Sequence, residues 1–182
     1  MNMLADYMIN KETVLLTGEY DEFGSLCTRV IEGEKTFLVQ RTPVQVINKT
    51  LLRLGSSFRG ARDSSKEVLG VMKMYPLKIN QYLGIWLFPT KACSKQNCVW
   101  FSLMHIKKTK AIGVRKTEVL LSYNHTFEIE MKETSFNNKR QKAEELREII
   151  TKNTKSPLTF YIEPKPGFRI SEDAGTNRYR IR

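Results

Sequence analysis

Apolar and polar positions along this chain follow two rhythms, and the switch between them divides it into strands and helices. Residues 13–17 (Thr-Val-Leu-Leu-Thr) read as a first strand ended by Gly18. Residues 27–31 and 36–40 flank Glu32, Gly33, Glu34 and Lys35, the pattern of a β-hairpin with a glycine-containing loop. Residues 83–88 and 98–106 are almost unbroken apolar runs. Such runs predict strands buried on both faces, or with one face in the core and one against a partner. Residues 118–122 and 125–131 are two more strands; in the second, Phe127, Ile129 and Met131 alternate with Glu128 and Glu130, as in a half-buried strand. Residues 67–72 fit a strand or a short helix.

Helical spacing takes over in two places. Thr42 can cap a helix, Pro43 suits its first position and Gln45 completes a Thr-x-x-Gln capping box. Val44, Ile47, Leu51 and Leu54 then make one apolar face, and Gly55 suits the residue after the helix end. A second helix is predicted over residues 137–151, with Ala143, Leu146, Ile149 and Ile150 inward and Phe136 at its start. Lys139, Arg140 and Lys142 load its first half with positive charge, against the helix dipole. Beyond Asn153 the rhythm fades, and Pro157, Pro164, Pro166 and Gly167 punctuate an extended segment. The expected architecture is α+β: an antiparallel sheet with two main helices over residues 1–153. Residues 154–182 form an extended, partly mobile C-terminal tail serving regulation or oligomerisation.

Charge narrows the partner. Of 182 residues, 30 are Lys or Arg and 19 Asp or Glu, for a net charge of +11. A pI near 9.6 points to a polyanion, nucleic acid ahead of an acidic membrane surface. Three cysteines are an odd number, which argues against a disulfide framework and for reduced thiols in a cytoplasm. The N-terminus lacks a secretory pattern, and no apolar run is long enough to cross a bilayer. No nucleophile elbow, phosphate-binding loop or dinucleotide fingerprint is present, so neither an enzyme nor a cofactor is expected. Cys93 and Cys98 form a C-x4-C pair that His105 and His125 could complete, but nothing repeats the spacing, and no metal is expected.

The cations gather in three places. Arg53 ends the first helix, and residues 56–62 with Lys66 read as a polar, basic loop: Ser56, Ser57, Arg59, Gly60 and Arg62 face only Asp63 in charge. Short hydroxyl donors and long guanidinium forks suit phosphate oxygens and groove edges; a solvated surface loop is the plainer alternative. Residues 107–116 are the densest positive run, with Lys107, Lys108, Lys110, Arg115 and Lys116 and no acid. Lys139 and Arg140 are the third group. An RNA-binding module would share these features and stack bases on exposed Trp86 or Trp100, although their apolar neighbours favour the core. A non-catalytic basic interaction protein is the other alternative.

Residues 55–60 (Gly-Ser-Ser-Phe-Arg-Gly), 85–90 (Ile-Trp-Leu-Phe-Pro-Thr) and 98–106 (Cys-Val-Trp-Phe-Ser-Leu-Met-His-Ile), followed by Thr117-Glu118-Val119, together resemble the ComK family of competence transcription factors of Gram-positive bacteria. The resemblance implies an activator of DNA-uptake genes that reads paired A/T-rich boxes, largely through the minor groove. It implies dimers that pair into tetramers on the promoter, with RNA polymerase engaged indirectly. On this reading Arg59 or Arg62 enters the groove, while Ser56, Ser57 and Lys66 hold phosphates. Phe58 either wedges a base step or anchors the loop to the core, and residues 107–116 track the flanking backbone. The resemblance also implies delivery by a MecA-type adaptor to a ClpC-class protease. The adaptor-binding segment would be Phe160, Tyr161, Ile162, Glu163, Pro164 and Lys165, with Glu163 standing where the family has tyrosine.

Overall fold

The computed structural model describes residues 3–155 and two further strands, Ile170–Asp173 and Arg178–Ile181. A seven-stranded sheet runs through the middle. Its strands are β1 (Met3–Leu4), β2 (Thr13–Tyr20), β3 (Leu26–Glu32), β4 (Lys35–Val39), β5 (Leu77–Asn80), β6 (Ile85–Pro89) and β7 (Val99–Ser102), in the order β1-β4-β3-β2-β7-β6-β5. Neighbours are antiparallel except β1 and β4. A three-stranded antiparallel sheet follows, with β8 (Ile106–Gly113), β9 (Lys116–Leu121) and β10 (Thr126–Ile129) in the order β10-β9-β8. The helices are α1 (Pro43–Arg53), α2 (Phe58–Leu69) and α3 (Glu133–Lys155). The strands β11 (Ile170–Asp173) and β12 (Arg178–Ile181) pair antiparallel with each other. The α+β class and the mainly antiparallel sheet are as the pattern predicts.

The apolar runs make the central sheet a partition between two cores. Paired residues alternate sides: Leu16 and Trp100 face one way, Leu15 and Phe101 the other. On the first side Val46, Ile47 and Leu51 of α1 and Ala61 of α2 close over Leu16, Leu87 and Trp100. On the second side Trp86, Phe88 and Phe101 lie under Phe136, Ala143, Leu146 and Ile150 of α3 and Val119 and Leu121 of β9. Both tryptophans are buried, so the core placement favoured by their neighbours holds, and neither offers a ring to a base. Each fully buried aliphatic side chain contributes roughly 1.5–3 kcal/mol of hydrophobic stabilisation.

Four local predictions change. The first helix keeps its capping box: Thr42 N–H donates to Gln45 Oε1 at 2.9 Å and Gln45 N–H to Thr42 Oγ1 at 3.4 Å. The basic loop after it, however, is α2. Ser57 is its N-cap, accepting from Gly60 N–H at 3.0 Å, and Asn48 of α1 accepts from Phe58 N–H at 2.9 Å. Residues 67–69 therefore complete a helix and are not a strand. Second, Gly18 does not end β2 but lies inside it; a Cβ there would come within 2.2 Å of the Gln96 carbonyl oxygen, so glycine admits the β6–β7 connection. Third, residues 98–106 are not one strand: a 3-10 turn at Leu103–His105 carries the chain from the central sheet into β8. Finally, α3 begins at Glu133, four residues before the predicted start.

Candidate nucleic-acid interface

The basic residues divide between the two sides of the partition. Arg53, Ser56, Ser57, Arg59, Arg62 and Lys66 belong to the α1–α2 side; Lys107, Lys108, Lys110, Arg115 and Lys116 belong to the β8–β9 hairpin on the other.

On the helical side, position along α2 sets each role. Phe58 and Ala61 turn toward the sheet, and Phe58 meets the Trp100 ring edge-on at 6.0 Å. Phe58 is thus the core anchor of the two roles considered for it. The buried Ser65 hydroxyl lies within hydrogen-bond distance of the Ala61 and Pro76 carbonyls, 3.0 and 2.6 Å away. The opposite face presents Arg59, Arg62, Asp63 and Lys66 to solvent. The Arg59 side chain is 93% exposed, and its ion pair with Asp63 sits at 4.0 Å; exposed pairs of that kind contribute about 0–1 kcal/mol and leave the guanidinium available. Arg62 lies 5.9 Å from the Tyr75 ring centroid, in a cation–π arrangement. Lys66 makes no ion pair among the described residues. Ser56 is exposed, while the Ser57 oxygen is engaged by the cap.

Arg53 is engaged elsewhere. Asp6 accepts from it at 2.7 Å and from Lys49 at 2.5 Å, and Arg41 stands 3.4 Å away as an ion pair without a hydrogen bond. The Lys49 hydrogen bond, with help from Tyr7 N–H and Arg53, holds the Asp6 carboxyl down at about 2. Three cations thus share one carboxylate, tying the N-terminal segment to the end of α1.

The hairpin is less positive in space than in sequence. A bulge between Ala111 and Gly113 shifts the register and sets Lys110 opposite Glu118, while Glu118 faces Glu128 of β10. Lys116 pairs with Glu128 at 2.5 Å, which pushes the lysine up from its ordinary value. Glu133 of α3 accepts from Thr109 Oγ1 at 2.7 Å and Ala111 N–H at 3.1 Å, covering part of the β8 edge. Lys107, Lys108, Lys110 and Arg115 stay exposed without an ion pair among the described residues. The turn consists of Val114 and Arg115 alone, and Val114 stands almost wholly in solvent.

Lys139 and Arg140 join neither group. Arg140 donates to Glu144 at 3.3 Å. Lys139 lines a cavity of about 190 Å3 with Met74, Pro76 and Phe88, its amine 3.4 Å from the Met74 sulfur. Burial pushes its pKa down. Both histidines serve packing: His105 Nε2 lies 2.7 Å from the Lys11 carbonyl, and His125 Nε2 2.7 Å from the Gly33 carbonyl. A carbonyl can only accept, so both rings carry the proton on Nε2. Cys27 and Cys98 are buried free thiols and Cys93 an exposed one. Among the described residues no group of three or more His, Cys, Asp or Glu is placed to hold a metal, and no helix is long and apolar enough to cross a membrane.

A family model for the ComK protein matches residues 4–155. The chain belongs to the ComK family. A curated relative, the Competence transcription factor of Bacillus subtilis (strain 168), is 30% identical over 144 residues, 79% of this chain and 74% of that protein. No solved structure matches. The ComK match reaches from β1 to the last residue of α3, so both cationic surfaces lie inside it. The segment Phe160, Tyr161, Ile162, Pro164 and Lys165, read as the adaptor contact, lies outside the described residues and beyond the match. Sequence reasoning missed the acids that temper the cations, namely Asp6, Glu118 and Glu128. Glu118 could have been sought by counting back from the hairpin turn, but regular pairing would set Ala111 opposite it; only the bulge puts Lys110 there.

Proposed function

We propose that this chain is a competence transcription factor that binds paired A/T-rich boxes in duplex DNA, mainly through the minor groove, and activates genes for DNA uptake. The exposed cationic face of α2 carries this reading: Arg59, held only by a long ion pair with Asp63, stands beside Arg62 and Lys66 in a protein with a net charge of +11. An α-helix with its side chains is about 10–12 Å across and the minor groove about 6 Å wide, so α2 stays outside while Arg59 reaches in. A/T-rich minor grooves are narrow and strongly negative, which favours a guanidinium. Ser56, Arg62 and Lys66 hold phosphates on either side. Lys107, Lys108, Lys110 and Arg115 add backbone contacts, and Lys116 contributes less because Glu128 holds it.

The family resemblance extends the proposal to a homodimer pairing into a tetramer on the promoter, in the cytoplasm, with RNA polymerase engaged indirectly. It also extends to control by a MecA-type adaptor and a ClpC-class protease acting through residues 154–182, with residues 1–153 as the DNA-binding domain. Titration of equal-length duplexes, one carrying two A/T boxes and one rich in G and C, tests the reading. Preferential binding to the boxes, displaced by a minor-groove drug, is expected; equal binding to both would overturn it. RNA that competes as well as box DNA would favour an RNA-binding module.

A further inference from the structure

Four apolar side chains among the described residues are almost fully exposed: Phe23 at 84%, Val71 at 89%, Tyr82 at 100% and Val114 at 86%. Their charged neighbours set them apart. Phe23 follows Asp21 and Glu22, which a polyanion repels. Val71 lies between Gly70 and Met72, and Tyr82 between Gln81 and Leu83. Val71 and Tyr82 have single lysines nearby, Lys73 and Lys78, whereas Val114 sits in the densest cationic run of the chain, with Lys107, Lys108 and Lys110 before it and Arg115 and Lys116 after it.

Its place in the hairpin is equally specific. Gly113 and Lys116 pair directly, so Val114 and Arg115 form a two-residue turn. Both have ordinary negative φ, so neither is strained at the tip. The ribbon behind them is, with its side chains, of a size that a major groove takes, so only the side chains of Val114 and Arg115 at its very end reach into a minor groove. Valine branches at Cβ and has few rotamers, so it presents a stiff wedge. Among the described residues nothing covers it, and water gains nothing from its exposure.

We infer that the β8–β9 tip meets a minor groove, with Val114 wedged between two base pairs and Arg115 in the narrow groove beside it. The wedge opens one base step and kinks the duplex away from the protein, as apolar side chains at minor-groove contacts do. Flexible pyrimidine–purine steps such as TA yield most easily, so the device would favour A/T boxes that contain one. Lys107 and Lys108, further along β8, meet the backbone strands that flank the opened step. The inference rests on the duplex-binding reading above but is independent of which α2 residues take part.

The test uses the full chain and a duplex with two A/T boxes, labelled at both ends for energy transfer and carrying 2-aminopurine at a TA step. Wild type should brighten the 2-aminopurine and shorten the end-to-end distance. Val114→Ala should abolish both signals, keep the salt slope and bind about tenfold more weakly. Val114→Ile should restore them. Thermal unfolding of Val114→Ala should match wild type because the side chain is 86% exposed, so a loss of signal reports on DNA. If wild type binds the boxes preferentially and Val114→Ala unstacks and bends them equally well, the wedge is refuted while the DNA-binding reading stands. If wild type shows no preference for the boxes, both fall.

Discussion

The α2 surface and the β8–β9 hairpin carry similar numbers of cations and use them differently. On α2 the cations occupy one face of a helix whose other face is locked to the sheet by Phe58 and Ala61. Its exposed acids are Asp63, at the limit of an ion pair with Arg59, and Glu67 beside Lys66, and neither makes a closer ion pair among the described residues. On the hairpin, strand pairing brings acids from β9 and β10 alongside the lysines. A run of charge in sequence is therefore a poor guide to potential when it lies in a sheet. In a strand the neighbours that matter come from other segments, whereas in a helix they come from three and four residues away. The contrast assigns a rigid, positive face to α2 and a slender, partly neutralised arm to the hairpin.

The largest way to break this contrast acts on α2 itself. Phe58→Ala removes the ring that meets Trp100 and should cost about 2–3 kcal/mol of stability, somewhat below the loss for a fully buried phenylalanine. Denaturant unfolding would measure it, and an unchanged midpoint would mean that α2 is not held as described. Next comes Arg59→Ala, expected to weaken box binding by about 1–2 kcal/mol and to narrow the preference over G/C-rich duplex. Lys108→Ala should do less and do it evenly: weaker binding to every sequence, with the salt slope reduced by about 0.9. Sequence-selective loss in Lys108→Ala and uniform loss in Arg59→Ala would reverse the two assignments.

The smallest expected effect concerns Arg53, the cation of this side that Asp6 engages. The folded Asp6 carboxyl is held at about 2, below its ordinary 3.8. A depressed carboxylate adds stability above its unfolded pKa and loses it as pH falls toward the folded one. The clamp of Asp6 on Lys49, Arg53 and Arg41 should therefore weaken from pH 4 to pH 2. Asp6→Asn should be less stable than wild type at pH 6 by a small margin that shrinks as pH falls through 4 toward 2, where the folded carboxyl is half protonated. A margin at pH 2 undiminished from pH 6 would mean that Asp6 acts through packing and not through charge.

Much of this was written in local pattern. The capping box of α1, the hairpin of β3 and β4, the alternation in β10 and the two-sided burial of β6 and β7 each depend on residues a few places apart, and each is present. Family membership was legible too, in residues 55–60, 85–90 and 98–106. The α2 stretch misled because serines, glycine and arginines have the composition of a loop. Their spacing suits a helix once Ser57 caps it and Phe58 and Ala61 find the sheet, and the second condition is tertiary.

By itself, then, the sequence determined the excess of positive charge, the α+β class, the buried tryptophans and the kinship. These follow from composition, short-range periodicity and motif, which need no partner segment to be read. Tertiary structure alone decided that the cations stand on opposite sides of the central sheet, that Asp6 and Glu128 hold two of them, and that Val114 is left at a bare tip. Each of those depends on segments far apart in the chain being brought together, and on a bulge that moves one strand by a single residue against its neighbour.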